Sequence, residues 1–279
     1  MVKVAIFFAC HKRLEVLKIC LDGIERLKRE NKDIEFVPFA VYSGKAEGDL
    51  LEKYKVRSLK FSNEYLGHKK NAGLKELMKL DWDYMLEIGS DDIISSKLIE
   101  MYKPLWERGD NCFGVRSCYF IEPSTGRASF WSHEYAIGAG RCIKKTVFDG
   151  WGRRVKIKFT RSISGETSMP KGKEMTYTRK VADRFVNGGL AKVIEEHDEP
   201  FGLWSDQKQM ALDDDSRFRL GTNGFHVQVI ETGTVPMVID IKTKDNIHAF
   251  SDFEPCNIGI GDILKDYSKE ERDGIWKLR

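Results

Sequence analysis

The stretch DYMLEIGSDDIISSKLIEMY, residues 83–102, decides the reading of the fold. Its first part, DYMLEI, is apolar enough to be a buried strand, and it runs into Gly89-Ser90 and two bare carboxylates, Asp91 and Asp92. Two readings compete. Ser, Asp and Asn are preferred helix caps, and acids suit the positive end of a helix, so the pair caps a helix beginning in IISSKLIEMY. Alternatively, the acids stand where a buried strand opens onto a ligand edge. Carboxylates there suit a hard divalent cation, Mg²⁺ or Mn²⁺.

The segments on the N-terminal side frame the choice. VKVAIFFA (2–9) is a continuous apolar strand. In RLEVLKICLDGIERLKREN, Leu14, Leu17, Leu21, Ile24 and Leu27 recur at helical spacing between charges. IEFVPFAVYSG reads as a second strand, GDLLEKYK as a short helix, VRSLKFS as a third strand and HKKNAGLKELMKL as another helix. Strand and helix alternate up to residue 88, which predicts a mostly parallel sheet covered by helices on both faces. Ligands in such sheets lie outside the carboxyl ends of the strands, where Asp91 and Asp92 fall.

Beyond residue 104 the pattern changes. CFGVRSCYFIEPSTGRASFW predicts a hairpin turning at EPSTGR, and KKTVFDGW a short helix. Residues 153–184 hold ten basic residues against Glu166, Glu174 and Asp183, and read as a basic loop leaving the core. Such a loop is either simply solvated, or closes over a diphosphate, or holds a polyanion. WSDQKQMALDD predicts a helix, and FHVQVIE and PMVIDIK late strands.

The 279 residues are 41% hydrophobic and 32% charged, an ordinary globular composition. No apolar run approaches the roughly 18 residues of a membrane span, and the N-terminus does not read as a signal peptide. The six cysteines show no CxxC pair, which predicts reduced thiols in a cytoplasmic protein and neither a disulfide frame nor a zinc site. A net charge of +3 does not by itself imply a polyanionic partner.

Four stretches together resemble the family 2 glycosyltransferases of GT-A fold. VAIFFACHKR resembles the first strand and nucleotide-pocket turn, and NEYLGHKKNAGLKEL the loop and helix often ending in Arg-Asn-Ala-Gly, with Lys70 in the Arg position. YMLEIGSDDII resembles the strand leading to the Asp-x-Asp metal motif, with Gly89 in place of the first acid. GAGRCIKKTVFDGWG resembles the segment crossing the middle of the site. The resemblance implies an α/β GT-A architecture with a smaller acceptor-side β/loop region. It divides the chain into a nucleotide-sugar half (1–104), an acceptor-side half (105–250) and a C-terminal tail (251–279).

The activity implied is transfer of a sugar from a nucleoside-diphosphate sugar to an acceptor hydroxyl, assisted by Mn²⁺ or Mg²⁺. Asp91 and Asp92 would bind the metal, with His248 a possible late ligand. Cys10, His11, Arg13, Lys70, Asn71, Ser90, Asp91 and Arg141 would face the donor. Asp206, in GLWSDQKQ, is the candidate catalytic base, and a helix cap otherwise. The acceptor expected is a saccharide or glycoconjugate. A hydroxymethylated DNA base is a rival acceptor suited to the basic loop, and a non-catalytic nucleotide- or nucleic-acid-binding protein a rival class. Trp131, Trp151 and Trp204 fall in the acceptor-side half, where aromatic rings either stack on sugars or fill core.

Overall fold

The computed structural model describes residues 1–149, 153–162, 170–198, 202–204, 212–244, 246 and 250–279. The first half alternates as the sequence predicts: β1 (Val2–Ala9), α1 (Leu14–Glu30), β2 (Ile34–Tyr42), α2 (Lys45–Lys53), β3 (Arg57–Lys60), α3 (Leu66–Leu77) and β4 (Tyr84–Glu87). β1 lies between β2 and β4, parallel to both. Its alternation divides it between two cores. Val4, Ile6 and Phe8 pack with Leu17, Leu21 and Ile24 of α1, while Ala5 and Phe7 pack with Leu74 and Leu77 of α3. Both faces of the sheet are therefore covered. At Gly73 a Cβ would stand 2.1 Å from a Val41 methyl, so α3 presses its backbone directly onto the sheet.

The acids do not cap the following helix. Asp92 opens a short strand, β5 (Asp92–Ile94), and α4 (Ser96–Arg108) is capped by Ser95, whose hydroxyl accepts from the Lys97 N–H. Next come β6 (Cys112–Val115), β7 (Ser117–Glu122), β8 (Arg127–Ser132) and β9 (Arg141–Lys144). β7 and β8 form the predicted hairpin. β9 runs antiparallel between β4 and β6.

The segment expected as a basic loop carries β10 (Arg153–Phe159), β11 (Glu174–Thr178) and α5 (Arg179–Asn187), and with β12 (Ala191–Asp198) it forms a separate three-stranded antiparallel sheet. Ile157, Phe159, Ala182 and Ala191 give this unit a small core of its own. Alternation of buried Ile157 and Phe159 with Lys156 and Lys158 makes an amphipathic strand, a period-two signal that the density of charge obscured. Lys156 and Lys158 both pair with Glu174, so part of the positive charge is neutralised within the unit.

The chain closes with α6 (Leu212–Thr222), β13 (Gln228–Ile230), β14 (Val238–Ile241), α7 (Ile260–Ile263) and α8 (Lys269–Trp276). The main sheet has the order β13-β6-β9-β4-β1-β2-β3, with only β9 reversed among the described strands, and a second sheet has the order β5-β14-β7-β8. The stretch 251–279, expected as a tail, packs Ile260, Ile263, Leu264, Tyr267 and Ile275 against α1 and the second sheet. There Arg26 Nε donates to Glu271 at 2.8 Å, and both side chains are fully buried. Glu271→Ala is expected to destabilise the protein by about 3 kcal/mol, because it strands a buried guanidinium. Urea unfolding measures this; a loss below about 1 kcal/mol would show that the other acceptors around Arg26 suffice. No described helix is long and apolar enough to cross a membrane.

Candidate functional site: an acidic cluster at the carboxyl edge of the sheet

The turn after β1 is held in an unfavourable backbone conformation. Lys12 and Arg13 have φ of 58° and 49°, in the left-handed region that non-glycine residues seldom occupy. Two buried side chains hold the turn. Glu47 accepts from the Lys12 N–H at 2.6 Å, and Lys69 Nζ donates to the Cys10 carbonyl at 2.6 Å. Lys69 also donates to Ser43 Oγ and Asn63 Oδ1, so one ammonium joins the ends of β1 and β2 to the loop before α3. Burial pulls its pKa down to about 8. Nothing in HKKN distinguishes Lys69 from a solvated helix lysine, and the sequence reading missed it.

The turn aims Arg13 at the acids. Its Nη1 donates to Asp91 Oδ2 at 2.8 Å, and Asn246 Nδ2 donates to the same oxygen at 2.7 Å. Asp92 accepts from the Gly89 N–H. Opposite Asp92, in the antiparallel register of β5 and β14, stands Asp240. One carboxylate oxygen from each of Asp91, Asp92 and Asp240 lies within 4.8 Å of the others. Burial, with Asp240 and Asp91 adding to it, pushes the Asp92 carboxyl well above the usual range. Burial and Asp91 push Asp240 up to about 7, against the opposing pull of Lys242 and Arg13. Lys242 Nζ donates to Asp240 Oδ2 at 2.8 Å, while Asp240 Oδ1 is buried with no hydrogen-bond partner.

Three crowded carboxylates and an orphaned oxygen fit a hard divalent cation. Asp240 was not among the residues expected from sequence. Its only signal is an acid alone on an apolar strand, VIDIK, with Lys242 on the same face. His248 and Asp206 lie outside the described residues. Gly89 stands where the first acid of the motif was expected; a Cβ there would be 2.6 Å from Asp91 Oδ1 and 3.0 Å from Asp92 Oδ2, so a side chain at this position would displace the Asp91 carboxylate.

Beside the cluster is a cavity of about 230 Å³ at the carboxyl ends of β1 and β4, lined by Arg13, Lys70, Ser90, Asp91, Lys242 and Asn246 among others. The structure thus brings together four of the expected donor contacts: Arg13, Lys70, Ser90 and Asp91. It adds Lys242 and Asn246.

The other four expected contacts are placed differently. Arg141 is fully buried, and its Nη2 donates to Glu87 Oε2 at 2.7 Å. The other Glu87 oxygen pairs with Lys70. Burial works against the Glu87 charge, but Lys70 and Arg141 outweigh it and hold the carboxyl below its usual range. Arg141 therefore holds Glu87, which orients Lys70 over the Trp204 ring, 4.4 Å from its centre. Asn71 is buried too. Its Nδ2 donates to the Trp204 carbonyl at 2.6 Å and its Oδ1 accepts from the Trp204 N–H at 3.1 Å. The Cys10 thiol is buried and pushed up to about 12 by that burial, so this residue contributes backbone only. His11 sits 3.9 Å from Glu47; burial, aided by Lys69 and Lys12, lowers its pKa. It lies in the turn but is not among the residues lining the cavity.

No protein-family model and no curated protein matches the chain. Solved structures do. Staphylococcus aureus TarS 1–349 in complex with UDP is similar with a TM-score of 0.51 at 12% identity, over 87% of this chain and 61% of that one. A mutant Drosophila β-1,4-galactosyltransferase 7, in complex with manganese, UDP-Gal and xylobiose, gives a TM-score of 0.43 at 10% identity, over 88% and 72%. The 4-diphosphocytidyl-2C-methyl-D-erythritol synthase of Anaerococcus prevotii gives 0.41 at 14%, over 88% and 94%. The chain spans 48% of one TarS 1–349 structure and 61% of the other, so it matches only part of that protein. With its mostly parallel sheet, its helices on both faces and this likeness, the chain has a GT-A-like glycosyltransferase fold.

Proposed function

We propose that the protein is a metal-dependent glycosyltransferase, moving a sugar from a nucleoside-diphosphate sugar to a hydroxyl of a saccharide or glycoconjugate. The carrying observation is the Asp91–Asp92–Asp240 cluster beside a cavity into which Arg13, Lys70 and Lys242 converge. As the bond from sugar to diphosphate breaks, negative charge grows on the diphosphate. Three fixed cations beside it stabilise that charge without reorganising. Glu87 and Arg141 hold Lys70 in place for this, and Asp91 does the same for Arg13. A divalent cation held by Asp91, Asp92 and Asp240 would supply further Lewis-acid stabilisation. On the far side of the sugar, Asp206 would take the acceptor proton. It follows Trp204 by two residues, and the Asn71 clamp fixes the Trp204 backbone.

The test is release of nucleoside diphosphate from a panel of uridine, guanosine, cytidine and thymidine diphosphate sugars with Mn²⁺, repeated after chelation with EDTA. Release from at least one donor, abolished by EDTA, is expected. Melting shifts with nucleoside diphosphate but no release from any donor would leave a nucleotide binder instead.

A further inference from the structure

We propose that an aromatic track beside the acidic cluster binds a saccharide chain several units long, as the extended acceptor site; the idea rests on the glycosyl-transfer reading above. The track starts at Lys242, which is paired with Asp240 and lies 4.6 Å from the centre of the Phe120 ring. Phe120 meets Trp131 at 6.0 Å, Trp131 meets His133 at 5.6 Å, and His133 meets Tyr135 at 5.2 Å. The Arg217 guanidinium covers the Tyr135 ring at 3.7 Å. Beyond it, Tyr135, Arg217, Phe218, Phe225 and His226 line a cavity of about 500 Å³.

Trp131 and His133 fall on one side at the end of β8, and the chain then bends at Glu134 and Tyr135, where the Tyr135 ring stays 5.2 Å from His133. Alternate side chains of an extended chain share a face, and the His133 N–H is held by the Arg116 carbonyl at 2.9 Å. Exposure rises outward, from 7% at Phe120 to 37% at Tyr135 and 70% at Phe218. Phe120, at the inner end, belongs to the core and is stacked on Phe253 at 3.9 Å, and the accessible part of the track runs from Trp131 outward.

The chemistry selects the occupant. A sugar ring has apolar C–H faces and a rim of hydroxyls, and needs flat aromatic surfaces with polar groups at their edges. Trp131 and Tyr135 supply the surfaces, and His133, His226 and Arg217 the edges. A polynucleotide would need a row of cations for its phosphates, whereas the accessible side chains here are mostly aromatic: Trp131, His133, Tyr135 and Phe218. Lys242, paired with Asp240, packs against Phe120, so the track joins the acidic cluster through side-chain contacts.

The experiment is calorimetric titration of the full chain with malto-, cello- and chito-oligosaccharides of one to six units. Affinity for at least one series should rise with length. Tyr135→Ala and Phe218→Ala, both at exposed positions, should each weaken hexasaccharide binding by about tenfold while leaving monosaccharide binding unchanged. Melting curves confirm that each variant is folded. No binding in any series, binding independent of length, or hexasaccharide affinity unmoved by both substitutions overturns the track. Donor hydrolysis by the wild-type protein, measured in parallel, separates the two ideas. Hydrolysis without chain binding ends the track alone. Length-dependent binding lost in Tyr135→Ala, with no donor hydrolysed, keeps the track and ends the transfer reading.

Discussion

Asp206→Asn is expected to bind donor and Mn²⁺ like the wild type, to melt near the same temperature, and to lose sugar transfer by 10²–10⁴-fold, the usual contribution of a positioned general base. Asn caps a helix about as well as Asp, so the substitution removes a proton acceptor while keeping most of any structural role. The preceding segment is anchored: Trp204 is fully buried, clamped by Asn71, and stacked on Phe7 of the central strand at 5.8 Å. Melting curves, nucleotide binding and initial transfer rates separate the roles. Transfer near the wild-type rate would make Asp206 a cap only, and a retaining mechanism, which needs no such base, would then become the reading to test.

The second large effect is expected at the acidic cluster. Asp91→Asn keeps the shape of the side chain and one oxygen to accept from Arg13 and Asn246. It removes one of three clustered carboxylates, and with it a ligand charge that a divalent cation held there would need. Metal-dependent donor hydrolysis should fall by at least about 10²-fold, comparable with removing one donor that stabilises developing charge. Mn²⁺ affinity, measured by calorimetry, should fall with it. The fold should persist, because the substitution also relieves repulsion among Asp91, Asp92 and Asp240. Wild-type turnover and wild-type Mn²⁺ affinity in this variant would remove Asp91 from the metal site.

How far the sequence carries depends on the kind of signal each element leaves. The strand-and-helix alternation of residues 2–88 was legible because its long helix α1 carries apolar residues at helical spacing and its inner strands are short continuous apolar runs, and both are local properties. Asp91 was legible for a related reason: an acid that ends a buried strand contradicts its surroundings. The small sheet built from β10, β11 and β12 was misread as a loop because its apolar alternation is diluted by the lysines between, Lys156 and Lys158 among them. The packed end of the chain, 251–279, was misread because its partners lie on α1, more than 200 residues away.

The amino-acid sequence by itself determined the order of the elements over residues 2–88, the mostly parallel character of their sheet and the edge at which the acids would stand. Only the tertiary structure decided which charges share that edge. Asp240 reaches Asp91 and Asp92 through antiparallel pairing of two strands far apart in the chain. Glu87 draws Arg141 into the interior and leaves Lys70 at the cavity. Asn71 is spent on a backbone clamp. Residue type states what a side chain can bind. Burial and distance, which vary steeply over a few ångströms, determine which partner it has, and both are properties of the folded chain.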